Sequence, residues 1–123
     1  MAKAFQTSDN HGRLLENQVL TDLLRKGKKI ELDLFYYRTR NDKEVDFVVR
    51  ASNHVETLIQ VCYDLTSPKV QKREISALYE AQDELHAEHL VIITQSQVPA
   101  LEMPQGKYPI SILSYADWST SLA

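Results

Sequence analysis

The chain has 123 residues, of which 43% are hydrophobic, and this predicts one domain with a core of ordinary size. Its formal net charge is −3, so no overall positive field draws it to nucleic acid or to an anionic membrane. A single cysteine excludes an internal disulfide and a multi-cysteine metal site, and it suits a reducing cytoplasm. No apolar run approaches the ~20 residues that span a bilayer, so we expect a cytoplasmic protein with no membrane partner.

The first predicted element is a helix. Residues 1–11 are polar and without pattern, which favours a flexible N-terminal arm, and residues 12–123 are expected to form the domain. From Gly12 to Arg25 the apolar residues fall in one helical stripe, and Gly27 is expected to end the helix.

One acid stands near the centre of that stripe. Glu16 shares the arc with Gly12, which has no side chain and permits a close approach at the same face. A buried carboxylate is unfavourable by several kcal/mol unless a partner compensates it. Glu16 is therefore either paired with an arginine such as Arg13 or Arg38, or part of a functional site.

Three strands are predicted next, over Leu32–Arg38, Glu44–Arg50 and Thr57–Tyr63, with turns between them. Their short connections favour an antiparallel meander. A second helix follows from Lys69 to about Leu85, with Pro68 near its start and apolar residues at spacings of three and four.

The last third of the domain continues with strands. His89–Gln95 has the pattern of a short buried strand, residues 96–108 of a loop, and Ile110–Leu113 of a last short strand. Tyr115–Leu122 is predicted to be a closing helical turn that carries Trp118. The order αβββαβ, followed by a short strand and a terminal turn, predicts an α/β or α+β domain with a mixed sheet of four to five strands and flanking helices.

The second and third strands carry an unusual polar set. Strict alternation places Val45 and Phe47 on one face of the sheet and Asp46 on the other, while Gln60 and Cys62 share a face of the third strand. We expect Asp46, Gln60 and Cys62 to lie together, with Glu16 reaching them from the first helix. A carboxylate there would be paired, metal-bound or at an edge.

Several segments carry a family resemblance that extends over roughly residues 12–118. The segments GRLLENQV, LFYYRTRNDKEVDFVV and LIQVCYDL resemble the uncharacterised C-terminal domain of a group of prokaryotic AAA-type ATPases. The element order, with an acid in the first helix and Val-Asp-Phe in the second strand, resembles the PD-(D/E)XK nuclease superfamily. The resemblance implies a restriction-endonuclease-like core.

In that superfamily the helix and strand acids bind one or two Mg²⁺ ions, and a lysine on the third strand orients or activates water. By resemblance, Glu16 matches the helix acid and Asp46 the second-strand acid, whereas Gln60 stands in place of the third-strand acid and Cys62 in place of the lysine. An amide is a weaker Mg²⁺ ligand than a carboxylate, and a thiol lacks the fixed positive charge of lysine. The resemblance therefore implies a degenerate catalytic site with no tightly bound cofactor and at most weak Mg²⁺ binding by Glu16 and Asp46.

Two interpretations of these departures remain open. A lysine displaced to the second helix, Lys69 or Lys72, would restore the missing charge. Alternatively, Cys62 is a small residue of the core and the site has no chemistry.

The positive charge is concentrated toward the N-terminus. Residues 1–40 hold eight lysines or arginines and five acids, against six and twelve in the remainder. Part of this excess follows a helix end, where cations stabilise the helix dipole. The predicted nucleic-acid-binding residues are Arg25, Lys26, Lys28, Lys29, Arg38 and Arg40.

We therefore expect a degenerate nuclease-like C-terminal module of an AAA-type ATPase, catalytically inactive and acting by nucleic-acid binding or regulation. Its expected partners are DNA and the ATPase part of the parent chain, with a homo-oligomer as a further expectation. The first alternative is a Mg²⁺-dependent DNA endonuclease with a displaced lysine. The second is a structural or oligomerisation module that binds no nucleic acid.

Overall fold

The computed structural model describes residues 10–95 and 106–122. Nine residues of the predicted arm and residues 96–105 of the predicted loop lie outside this part. The arm prediction is wrong at its end, because Asn10 and His11 already belong to the first helix. The helices are α1 (Asn10–Arg25), α2 (Pro68–Leu85) and α3 (Tyr115–Ser121), and the strands are β1 (Leu34–Arg38), β2 (Glu44–Ala51), β3 (His54–Val61), β4 (His89–Thr94) and β5 (Ser111–Ser114).

The five strands form one mixed sheet in the order β1-β2-β3-β4-β5. The first three are antiparallel neighbours, and β4 and β5 continue the sheet in parallel orientation. The helix α2 makes the crossover from β3 to β4. The predicted mixed α/β architecture and the meander are thus confirmed. No helix in the described ranges is long and apolar enough to cross a membrane.

Each face of the sheet has its own core. On one face, α1 and α3 contribute Leu15, Val19 and Trp118 to a cluster with residues of β2, β3 and β4. On the other face, α2 contributes Ile75 and Leu78 to a second cluster. The sheet is therefore a central layer between α1 with α3 and α2.

A β-bulge in β2 changes which side chains share a face. The register between β1 and β2 shifts between Phe35 and Tyr37, because β2 uses one residue more than β1 over this stretch. As a result Val45 packs in the α2-side core and Phe47 in the α1-side core. The predicted alternation, which placed both on one face, is wrong here. The extra residue falls at Asp46, beside α1.

The helix ends are fixed by local hydrogen bonds. Gly27 has a φ of 92°, and its N–H and that of Lys28 donate to the last carbonyls of α1, so this glycine ends the helix as predicted. At the start of α2, the Ser67 hydroxyl accepts from the N–H of Val70. These hydrogen bonds fix the C-terminal end of α1 and the N-terminal end of α2.

Candidate functional site

The candidate site begins where β2 and β3 separate. Their backbone pairing ends at Ile59, and beyond it side chains replace the missing ladder bonds. The Gln60 amide oxygen accepts from the N–H of Asp46 at 3.0 Å, and its Nε2 donates to the carbonyl of Glu44 at 3.0 Å. The Asp46 carboxylate accepts from the N–H of Val61 at 2.8 Å. The Gln60 side chain of β3 thus bonds to the backbone of β2, and the Asp46 side chain of β2 bonds to the backbone of β3.

Glu16 reaches this point from α1. Its side chain is only 1% exposed and forms a hydrogen bond with the side chain of Asp46. Two carboxyl groups can bond in this way only when one of them carries a proton. Burial raises the pKa of Glu16 to about 7, while burial and the nearby Glu16 charge raise the pKa of Asp46 well above its usual range. The pair therefore shares a proton near neutral pH.

One oxygen of Glu16, Oε1, is unusual. Among the described residues, Oε1 is buried and has no hydrogen-bond partner. The predicted ion pairs do not form: Arg13 lowers the pKa of Glu16 only through its charge, and Arg38 binds other carboxylates. A buried oxygen without a partner is unfavourable, and this is expected of a functional group more than of a packing residue.

A third acid, Glu74 of α2, approaches from the other side of the sheet. Burial raises its pKa, and Arg73 is its counter-ion, with Nε 3.1 Å from Oε2. The charge of Glu74 in turn raises the pKa values of Asp46 and Glu16. Glu74 therefore acts on the Glu16–Asp46 pair through its charge, from the α2 side.

Glu74 was not among the site residues predicted from the sequence, although its position in α2 carries a signal. Gln71, Glu74, Ile75 and Leu78 follow the spacing of three and four that defines a helix face. In the structure Gln71, Ile75 and Leu78 are buried, and the Glu74 side chain is only 13% exposed. Two polar residues in the apolar stripe of α2 therefore marked the face toward the site.

Cys62 does not share the face of Asp46, and that prediction is wrong. Cys62 packs in the α2-side core, whereas the bulge turns Asp46 to Glu16 of α1. The thiol donates to the carbonyl of Asp64 at 3.3 Å, and burial raises its pKa to about 12. It stays protonated at neutral pH, so it supplies neither the charge of a lysine nor a thiolate.

These donors do not complete a metal site. Within the described ranges, no group of three histidine, cysteine or acidic residues is placed to hold a metal ion. The Gln60 oxygen already accepts from the backbone of β2, which leaves Glu16 and Asp46 as the anionic ligands for Mg²⁺. Lys69 and Lys72 are exposed on the first turns of α2.

The six predicted nucleic-acid-binding residues fall into two groups. Arg25, Lys26, Lys28 and Lys29 lie at the end of α1, before the start of β1. Arg38 and Arg40 follow at the other end of that strand, about 13 Å further at 3.3 Å per residue. The structure does not bring the two groups together.

Part of their charge is already neutralised. Arg38 binds Asp42 at 2.5 Å and Glu44 at 3.1 Å, and Lys28 lies 3.9 Å from Glu56. The backbone N–H of Arg40 donates to Glu84 of α2 at 3.0 Å. Acidic side chains therefore lie beside both groups and reduce their positive charge.

Comparison with known proteins gives a family but no established activity. Residues 11–115 match the family model described as "Domain of unknown function (DUF4143)". The uncharacterized protein MJ1544 of Methanocaldococcus jannaschii is 35% identical over 116 residues, which cover 91% of this chain and 25% of that protein. The chain thus spans about a quarter of the length of this relative. No solved structure matches the chain. The chain belongs to the DUF4143 family.

Proposed function

We propose that this chain is a degenerate nuclease-like module of the PD-(D/E)XK kind that binds nucleic acid without cutting it. The contact between Glu16 and Asp46 carries this proposal, because an acid of the first helix meets an acid of the second strand where that superfamily binds its metal. The element order and the splayed ends of β2 and β3 support it.

The loss of cleavage follows from the other two positions. Gln60 uses its amide to connect the strand ends, so it acts as a structural bridge in place of a charged metal ligand. Cys62 is a protonated thiol in the α2-side core. Without a second strand acid and a cation, the site cannot hold Mg²⁺ tightly or stabilise the charge of a phosphate under attack.

The parent protein in this proposal is an AAA-type ATPase that carries the module at its C-terminus. The segments around Glu16, Asp46 and Gln60 resemble domains of that origin. The relative from Methanocaldococcus jannaschii is about four times as long as the matched region, which leaves room in that protein for an ATPase part. The module would place the ATPase on nucleic acid.

A combined binding and cleavage assay tests this function. The purified protein is mixed with labelled single-stranded and duplex oligonucleotides, in EDTA and with Mg²⁺ or Mn²⁺. We expect binding that weakens as salt rises, because phosphate contacts release counterions, and intact oligonucleotides throughout. Cuts that need the metal and disappear in Asp46→Asn would instead support an active endonuclease. Absence of binding at low salt would contradict the proposal.

One observation favours a structural module as a second candidate. Ile30 and Leu32, on the connection from α1 to β1, are 59% and 61% exposed. Exposed apolar side chains of this size are typical of contact surfaces when they lie close together. Sedimentation velocity over a range of concentrations tests this candidate, with Ile30→Ser/Leu32→Ser as the variant. Association that the variant abolishes, in a protein that binds no oligonucleotide, would support it.

A further inference from the structure

An exposed aromatic pair lies beside the candidate site. The imidazole of His11, in the first turn of α1, stacks on the ring of Tyr63 just beyond β3, with centroids 5.0 Å apart and 21° between the planes. His11 is exposed and Tyr63 is 36% exposed. Rings held in this way offer a flat surface on which an unpaired base can stack, whatever its identity.

Cations lie around the same edge of the sheet. Arg13 is exposed on α1, close enough to lower the pKa of Glu16. Lys69, Lys72 and Arg73 are exposed at spacings of three and four, and therefore lie on one side of α2 at its start. Among the described residues, Arg13, Lys69 and Lys72 form no ion pair within 4.0 Å. Their charges remain available for phosphate groups.

Acids also lie near this positive charge. Glu74 is bound to Arg73, and Glu16 and Asp46 share a proton. Asp64 is an exposed acid of this edge, and its carboxylate accepts hydrogen bonds from Thr66. Arg73 is thus neutralised in the same way as Lys28 and Arg38, whereas Arg13, Lys69 and Lys72 have no such acid among the described residues.

We infer that a single-stranded nucleic-acid segment binds the strand-end face, defined by His11, Arg13, Tyr63, Lys69, Lys72 and Arg73, with a base stacked on the aromatic pair and phosphates on the cations. The inference rests on the proposed function and replaces the contact surface predicted from sequence. It also names the substrate class, since a base inside a duplex cannot stack on these rings.

Fluorescence anisotropy with a labelled single strand and the corresponding duplex tests this inference. The variant Lys69→Glu/Lys72→Glu reverses two charges of the strand-end face, and Lys26→Glu/Lys29→Glu reverses two at the far end of α1, about 18 Å along the helix from Arg13. Both variants change the net charge equally. We expect the first to weaken single-strand binding by roughly tenfold or more and to lower the salt slope by about 1.4, at ~0.7 per phosphate contact. The second should weaken it by about threefold at most, through the general field alone.

The aromatic contribution needs its own pair of variants. Tyr63→Ala should weaken single-strand binding by roughly tenfold, because the stacking surface is lost, while Tyr63→Phe keeps the ring and should retain most of the affinity. Thermal melts of all variants confirm that they are folded.

Each result decides between the inference and the function on which it rests. A loss of binding in Lys26→Glu/Lys29→Glu, with little change in Lys69→Glu/Lys72→Glu, would overturn the strand-end face and leave the proposed function standing. Tighter binding of duplex than of single strand, unaffected by Tyr63→Ala, would overturn the stacking role. A wild-type protein that binds no oligonucleotide would overturn the function itself.

Discussion

Replacing Glu16 by glutamine should make the domain more stable at alkaline pH. Glu16 is buried, hydrogen-bonded to Asp46, and has one oxygen without a partner among the described residues. Glutamine keeps the shape of the side chain and cannot ionise. Its amide can still donate to the Asp46 carboxylate, whose pKa should fall once the neighbouring charge is gone.

The pKa of Glu16 gives the size of the effect. It rises from the ordinary value of 4.5 to about 7 in the folded protein. At ~1.4 kcal/mol per pKa unit, ionising the buried group is unfavourable by roughly 3 kcal/mol relative to the unfolded chain. The folded state binds the Glu16 proton more tightly than the unfolded state does. The protonated group therefore stabilises the fold, and this contribution is fully present below pH 4.5 and is lost as the pH rises through about 7. Glu16→Gln removes that loss.

Urea unfolding at about pH 5 and pH 8 measures the difference. The free energy of unfolding of Glu16→Gln should be close to that of the wild type at the lower pH and higher by up to roughly 3 kcal/mol at the upper pH. Glu31→Gln, at an exposed position, controls for the change in net charge. If wild type and Glu16→Gln change in parallel between the two pH values, the shared-proton account is wrong.

Three further changes test other parts of the structure. Gln60→Ala should lower the free energy of unfolding by roughly 2–4 kcal/mol in urea, because two partly buried backbone groups of β2, the Asp46 N–H and the Glu44 carbonyl, lose their partner; a loss below about 1 kcal/mol would contradict this. The Cys62 thiol should react with a thiol reagent only after unfolding, since burial raises its pKa to about 12, and equal rates in native and denatured protein would be inconsistent with the structure. Gly106→Ala should lower the Tm by several degrees, because the new methyl group would overlap the ring of Tyr79; an unchanged Tm would show that the ring moves freely.

Most of the fold follows from patterns that are local in sequence. The apolar stripe of α1 was predicted with Glu16 inside it, and the structure buries Glu16 together with Leu15 and Val19. Gly27 ends α1 as expected. Such patterns suffice because each face of an element is defined by spacing along the chain alone.

The errors occur where distant parts of the chain decide the geometry. The bulge at Asp46 depends on the register against β1, so alternation within β2 could not reveal that Asp46 turns to α1 while Cys62 remains in the α2-side core. Strand ends shifted for a related reason: β3 ends at Val61, where Gln60 takes over the hydrogen bonds of the ladder. Glu74 was not predicted, because it lies on α2 and its effect on Asp46 and Glu16 depends on how α2 packs on the sheet.

The central claim is that the site is a nuclease site that lacks one acid and one cation, and restoring both tests it most directly. In Gln60→Glu/Cys62→Lys the new charges compensate each other, and the lysine would stand near the charges of Glu74 and Asp46, which already act on Cys62. A thermal melt must accompany the assay, because an unpaired buried ammonium is unfavourable by several kcal/mol. The account predicts a folded variant that binds Mg²⁺ and nicks DNA, while the wild type does neither. A folded variant that neither binds Mg²⁺ nor nicks DNA would contradict it.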